Sequence, residues 1–198
     1  MKMLPCSAFL LPLVLTTGRI TAAAQPTPSL PQVKTATLVC EESPPYNYEE
    51  KGEIVGIASD IIRESFKRAG YGVIFKQFPW ARALAMAQGG SVDGIFCLYK
   101  TSEREKAFVF SRRFASDTQS FFVLSEAKIT FNGHLQGMGA YTIGTVRGYS
   151  YGERFDRAVK SGVLGKTEPV SNVDQNIQKL LSKRIDAFIE GSTWGWPN

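Results

Sequence analysis

From residue 35 onward, short β-prone apolar runs alternate with amphipathic helical stretches. Thr35–Cys40 (TATLVC) reads as a strand. Ala58–Ala69 (ASDIIRESFKRA) places Ala58, Ile61, Ile62, Phe66 and Ala69 on one helical face, with Gly70 as its stop. Gly72–Phe78 reads as a second strand. Pro79 then starts a second helix at the favoured first position, with Ala83, Leu84 and Ala87 facing inward and Gly89-Gly90 ending it. Val92–Leu98, centred on Ile95 and Phe96, reads as a buried third strand. Strand, helix, strand, helix, strand requires crossover connections and a mostly parallel sheet.

The same order recurs downstream. Tyr141–Val146 (YTIGTV) is strand-like, Gly148–Ser161 reads as loop plus helix, and Glu168–Val170 is a weak strand. Ser171 or Asn172 caps a helix over Val173–Ser182, and Ile185–Glu190 (IDAFIE) closes as a strand. Gln119–Ser125 (QSFFVLS) is an apolar, β-prone segment that could run between the two sets. Gln88–Phe96 (QGGSVDGIF) and Leu181–Ile189 (LSKRIDAFI) echo each other, with Asp93 and Asp186 in equivalent places. A helix-to-strand connection can look this way by itself, but the surrounding order repeats as well. That suggests two α/β lobes of related build, and a cleft between such lobes is a usual place for a small-molecule site.

The N-terminus changes the picture. Lys2, the apolar run Phe9–Leu15 and Ala22-Ala23-Ala24 before Gln25 have the order of a cleavable signal peptide, and the run is too short to span a bilayer. The expected division is a signal at 1–24, a Pro-rich linker at 25–34, a first lobe at 35–120, a hinge strand at 121–126 and a second lobe at 127–198. The chain of 198 residues carries a formal charge of +5, and loss of the signal would remove Lys2 and Arg19 but no acid. So small a charge, without a Lys/Arg run, argues against a nucleic-acid partner.

Export would place Cys40 and Cys97 in an oxidising compartment. Both fall near the ends of expected strands, so a disulfide and a pair of free buried thiols are equal alternatives. His134 is the only histidine, and with no Cys/His cluster neither a metal nor another cofactor is expected.

The candidate chemistry lies past the third strand. The loop Lys100–Glu105 carries Thr101, Ser102 and Arg104 to the carboxyl end of a parallel sheet, where ligands of open α/β sheets bind. The planar guanidinium of Arg104 suits a carboxylate, but from the loop alone pairing with Glu103 or Glu105 in solvent is the plainer reading. The turn-rich loop Glu41–Gly52, held by Pro44 and Pro45, presents Tyr46 and Tyr48. Trp80 could stack on a ligand or equally be a core indole at a helix start.

Taken together, these pieces resemble the type II periplasmic solute-binding proteins, in the family 3 branch that binds polar amino acids. The matching motifs are the signal, SPPYNY (Ser43–Tyr48), PWARAL (Pro79–Leu84), VDGIF (Val92–Phe96) with KTSER (Lys100–Arg104), FS (Phe110–Ser111), IGTVRG (Ile143–Gly148) and RIDAFI (Arg184–Ile189). The resemblance implies a two-lobed fold and reverses the preference for a solvated Arg104. It implies Arg104 and Thr101 as the clamp on a ligand carboxylate, and Tyr46 or Tyr48 as aromatic packing. It also implies the segment Tyr149-Ser150 as a source of helix N-terminal donors.

The chain departs from the family pattern in three ways. Tyr99 stands where a small hydroxyl residue is usual. Glu190, followed by Gly191, is what the chain offers for the acid that meets a ligand's amino group. The chain also stops short of the usual return to the first lobe, so a second lobe incomplete at its C-terminus is expected.

The resulting expectation is a monomeric, non-enzymatic periplasmic protein. It would bind a small polar ligand, an amino acid or related carboxylate, for delivery to an inner-membrane ABC permease. An orphan or sensory binding module is the alternative, and a dehydratase-type enzyme on the same fold the more distant one.

Overall fold

The computed structural model describes residues 33–192. The expected signal at 1–24, the linker as far as Gln32 and the segment 193–198 fall outside the described residues. The first sheet is built on β1 (Thr35–Cys40), which pairs in parallel with β4 (Gly72–Gln77) from Thr35↔Gly72 to Cys40↔Gln77. On its other side β1 pairs with β5 (Gly94–Ile95), giving the order β4-β1-β5. The crossovers are α1 (Ile57–Arg68) and α2 (Trp80–Gln88), as the 3.6-residue apolar periodicity predicts. Pro79 stands at the N-cap of α2 rather than at its first turn.

Two features differ from the sequence expectation. The segment read as a loop contains a hairpin, β2 (Tyr48–Glu50) and β3 (Glu53–Val55), turned by Lys51 and Gly52 at φ 53° and 84°. Two successive left-handed residues are what a tight hairpin turn needs, here with lysine in the place asparagine usually takes. The third strand is also much shorter than Val92–Leu98. Its ladder ends where the Phe96 N–H donates to the Val39 carbonyl (3.1 Å), and Cys97, at φ 58°, turns the chain off the sheet.

Between hairpin and helix, Gly56 has φ 118°, and a Cβ there would lie 2.5 Å from the Tyr46 carbonyl oxygen. Only glycine lets the two backbones approach so closely. The same carbonyl accepts from the Ala58 N–H at 2.9 Å, which fixes the start of α1 against the Tyr46 loop.

The second sheet has the order β6-β9-β7-β8. β7 (Thr142–Val146) pairs in parallel with β8 (Lys166–Val170) and with β9 (Ala187–Gly191). α3 (Glu153–Lys160) and α4 (Val173–Leu181) are the crossovers, and the Asn172 side chain caps α4 by accepting from the Gln175 N–H at 3.1 Å. β6 (Gln119–Phe122) runs antiparallel along β9, so the first residues of the expected hinge, 121–126, are hydrogen-bonded into this sheet.

The second-lobe core gathers Met138, Ile143, Phe155, Ala187 and Ile189 on one face of the sheet elements. A second cluster joins Val146, Val170, Leu180 and Phe188. The first-lobe core is smaller, around Leu38, Cys40, Ala58, Ile62 and Phe96. Both sheets belong to one compact unit that begins at Val33.

Candidate functional site

The site forms where the carboxyl ends of the parallel strands from both sheets meet. Glu41 directly follows β1, Tyr99 and Arg104 follow β5, and Gly148–Ser150 follow β7. Arg104 opens a single 3-10 turn over Arg104–Lys106, and its N–H donates to the Thr101 hydroxyl at 3.2 Å. This local cap turns the guanidinium inward, and the residue is only 8% exposed. The guanidinium donates through Nη1 to the Tyr99 carbonyl (2.8 Å) and through Nη2 to the Gly148 carbonyl (3.0 Å). Its carbon lies 5.3 Å from the Trp80 ring centroid, a cation–π distance. Burial pushes its pKa down, and the charges of Asp156 and Glu103 oppose that shift. Glu105 pairs instead with Lys100, at 2.6 Å, so the solvated pairing of Arg104 with Glu105 is not formed.

Trp80, at the first turn of α2, is buried, and its indole N–H also donates to the Gly148 carbonyl, at 2.8 Å. Its ring meets Tyr149 edge-on, with centroids 5.3 Å apart. The Tyr149 hydroxyl donates to the Glu41 carboxylate, which the main chain of Trp80 also hydrogen-bonds. Even so, burial raises the pKa of Glu41 above the ordinary carboxylate range.

Glu190, on β9, is 9% exposed. Its Oε1 accepts from the Gly191 N–H at 3.0 Å, while its Oε2 has no hydrogen-bond partner. Burial, assisted by the charges of Glu41 and Asp117 and opposed by the Gly191 N–H, pushes its pKa up to about 7. Tyr99 lies within the field of this group, and its hydroxyl accepts from Gln119 Nε2 at 2.7 Å.

Beside Arg104 opens a cleft of about 730 Å³, whose walls include Thr101, Arg104, Gly148, Ser150, Asp156 and Lys160. The Ser150 hydroxyl donates to Asp156 Oδ2 at 2.5 Å, and the Tyr151 N–H donates to Oδ1 at 3.1 Å. Asp156 thereby sets the loop ahead of α3. Tyr149 belongs to both surroundings, lining the cleft and donating to Glu41.

Of the residues singled out from sequence, Trp80, Tyr99, Thr101, Arg104, Ser150 and Glu190 are brought into this region. Tyr46 is half-buried against the first-lobe core. Tyr48 sits on β2 opposite Val55, and the hydrogen bonds that assemble the cluster do not include it. Cys40 and Cys97 are free thiols, the first buried and the second exposed, at the ends of adjacent strands. Burial raises the Cys40 thiol to about 12, with Cys97 the next contributor. Among the described residues no group of three or more His, Cys, Asp or Glu side chains could hold a metal ion.

Sequence reasoning gave no ligand-site role to Glu41, or to Gln119 and the Gly148 carbonyl. Their common signal is a position at or next to a strand end, and it becomes specific only when two sheets converge.

The family model of bacterial extracellular solute-binding proteins, family 3, matches residues 36–195. An ancestral arginine-binding protein solved with arginine is 23% identical, with TM-score 0.69, over 81% of this chain and 71% of that one. The arginine-, lysine-, histidine-binding protein ArtJ from Geobacillus stearothermophilus is 24% identical, with TM-score 0.69, over 81% of this chain and 68% of that one. The ancestral amino acid-binding protein AncCDT-1, described as a precursor of cyclohexadienyl dehydratase, is 20% identical, with TM-score 0.64, over 80% of this chain and 71% of that one. At these identities the likeness shows the two-lobed α/β fold. No curated protein matches the chain.

Proposed function

This chain belongs to the bacterial extracellular solute-binding proteins, family 3, and we propose that it binds a small zwitterion carrying an added positive charge, of the basic amino acid class. The observation that carries this reading is a buried Arg104 in no described ion pair, together with two mutually interacting carboxylates, the half-buried Glu41 and the buried Glu190, that no described ion pair engages either. Burying a charge without a partner is costly, and a ligand that brings cations to Glu41 and Glu190 and an anion to Arg104 offsets that cost on both sides. Tyr149, which lines the cleft, supplies a flat apolar wall for the aliphatic part of such a ligand. The arginine-binding and arginine-, lysine-, histidine-binding relatives support the class. In this reading the protein is monomeric and works in the periplasm, handing its ligand to an inner-membrane ABC permease.

Calorimetry of the full chain with L-arginine, L-lysine, L-glutamine and succinate tests it. Basic amino acids should bind tightest. Arg104→Ala should cost roughly 2–5 kcal/mol by stranding the ligand carboxylate, and Arg104→Lys should recover only part, lacking the two-pronged geometry. Unchanged affinity in Arg104→Ala, or tightest binding of succinate, would overturn the reading.

A second reading rests on Glu190, whose pKa near 7 leaves it partly protonated at neutral pH, as a general acid requires. AncCDT-1, a dehydratase precursor, shares the fold. Elimination catalysed by the full chain and abolished by Glu190→Gln would move the assignment to that class.

A further inference from the structure

Three first-lobe groups suited to hold a ligand are already engaged by two consecutive residues of the second lobe. The Gly148 carbonyl accepts from both Arg104 Nη2 (3.0 Å) and the Trp80 indole N–H (2.8 Å). The Tyr149 hydroxyl donates to the Glu41 carboxylate. We propose that Gly148 and Tyr149 are a tethered occupant of the first-lobe ligand groups, latching the lobes together without ligand, so that a solute binds by displacing them.

The chemistry of the contacts supports this. A carbonyl oxygen shared by a guanidinium and an indole N–H stands where a ligand carboxylate oxygen would be received. A hydroxyl proton on Glu41 stands where a ligand ammonium would donate. Left without these partners, the buried donors and acceptors would each carry an unmet desolvation cost, so the closed, empty form gains what the ligand would otherwise supply.

The loop is shaped for the role. Gly148 has φ 80°, and a Cβ there would stand 3.3 Å from Trp80 Nε1, so glycine lets the carbonyl close on the indole. Tyr149 is seated by edge contact with Trp80 and a tilted contact with Tyr151, at centroid distances of 5.3 and 5.9 Å. Burial and the Glu41 charge both push the phenol's pKa up, keeping its proton available to donate. A latch of this kind lowers apparent affinity by the fraction of molecules that are open.

The direct readout is exchange of the Trp80 indole N–H in the ligand-free full chain by NMR, assigned with Trp80→Phe. It should exchange slowly in the wild type and about tenfold faster in Tyr149→Phe, which loses one charge-assisted bond but keeps the ring. Affinity for L-arginine should rise by a similar factor in Tyr149→Phe, because the ligand no longer competes with that bond. Rapid exchange in the ligand-free wild type, unaltered exchange in Tyr149→Phe, or weaker arginine binding by that variant would each overturn the latch. The displacement half of the proposal rests on the basic-amino-acid reading. If arginine binds neither form, that reading fails while the ligand-free exchange rates still decide the latch. Should Tyr149→Phe fail to fold, Glu41→Gln removes the charge from the same bond and takes its place for the ligand-free exchange measurement alone, where unaltered Trp80 exchange overturns the latch.

Discussion

The two lobes follow one plan, β1-α1-β4-α2-β5 and β7-α3-β8-α4-β9, and they part at the third strand. Both third strands begin alike. Asp93 accepts the Thr37 N–H at 2.7 Å and donates its own N–H to the Thr37 carbonyl at 2.9 Å, and Asp186 does the same with Thr142 at 2.7 and 3.0 Å. Beyond the aspartate they diverge. β5 has two half-buried residues, whereas all five residues of β9 are buried.

The cause is the second neighbour. β9 lies between β7 and β6, and Phe122 stacks on Phe188 with ring planes 9° apart. β5, among the described residues, pairs with β1 alone. A ladder held on both edges keeps its residues extended, and one held on a single edge releases them. The consequence reaches the site. In the sequence echo Cys97 and Glu190 are equivalent, yet Cys97 turns off the sheet while Glu190 stays in it opposite Ser120, buried and within the fields of Glu41 and Asp117.

Core truncation tests this difference most severely. Ile189, 3% exposed, packs in the main second-lobe cluster, so Ile189→Ala should cost about 3–4 kcal/mol. Ile95 is half-buried in a two-residue strand, and Ile95→Ala should cost about 1–2 kcal/mol by the same measure. Equal denaturant midpoint shifts for the two would contradict the asymmetry.

The next effect is on pH dependence. Glu190 holds its proton more tightly folded, with pKa about 7, than unfolded, at about 4.3. Between those values the folded state binds more protons, so stability falls as pH rises and levels off above 7. The total is up to roughly 4 kcal/mol. Glu190→Gln should flatten that slope in urea titrations between pH 4 and 8 (about the range spanned by the two values), and a slope that persists would place its origin elsewhere. Cys97→Ala should leave the slope unchanged, since desolvation pushes the Cys97 thiol up to about 12 and it stays protonated across this range.

The smallest effect concerns what the lobes share. Asp93→Ala and Asp186→Ala each remove one charge-assisted bond to a strand N–H on an exposed side chain, so each should cost about 1–2 kcal/mol. Losses that differ by more than that between the two would show that the echo is not a common device.

The local elements were determined by the chain itself. Apolar periodicity marks α1 and α4, Asn172 marks the cap of α4, and the repeated Asp-small-apolar run marks where both third strands begin. Even the inward role of Arg104 had a local basis, because Thr101 three residues earlier supplies the turn that aims it.

What the sequence left open depended on groups far apart along the chain. The hairpin at Lys51-Gly52 lacks the asparagine that usually signals such a turn, so its backbone twist became legible only once β2 and β3 were paired. The length of β5, the burial of Glu190 opposite Ser120, and the bonds from Arg104 and Trp80 to Gly148 join residues 44 to 70 positions apart, or reflect the absence of such a neighbour among the described residues. Periodicity and propensity are properties of a few consecutive residues. Whether a strand gains a second edge, or a carboxylate loses its water, is decided by what the rest of the chain brings against it, and only the tertiary structure supplies that.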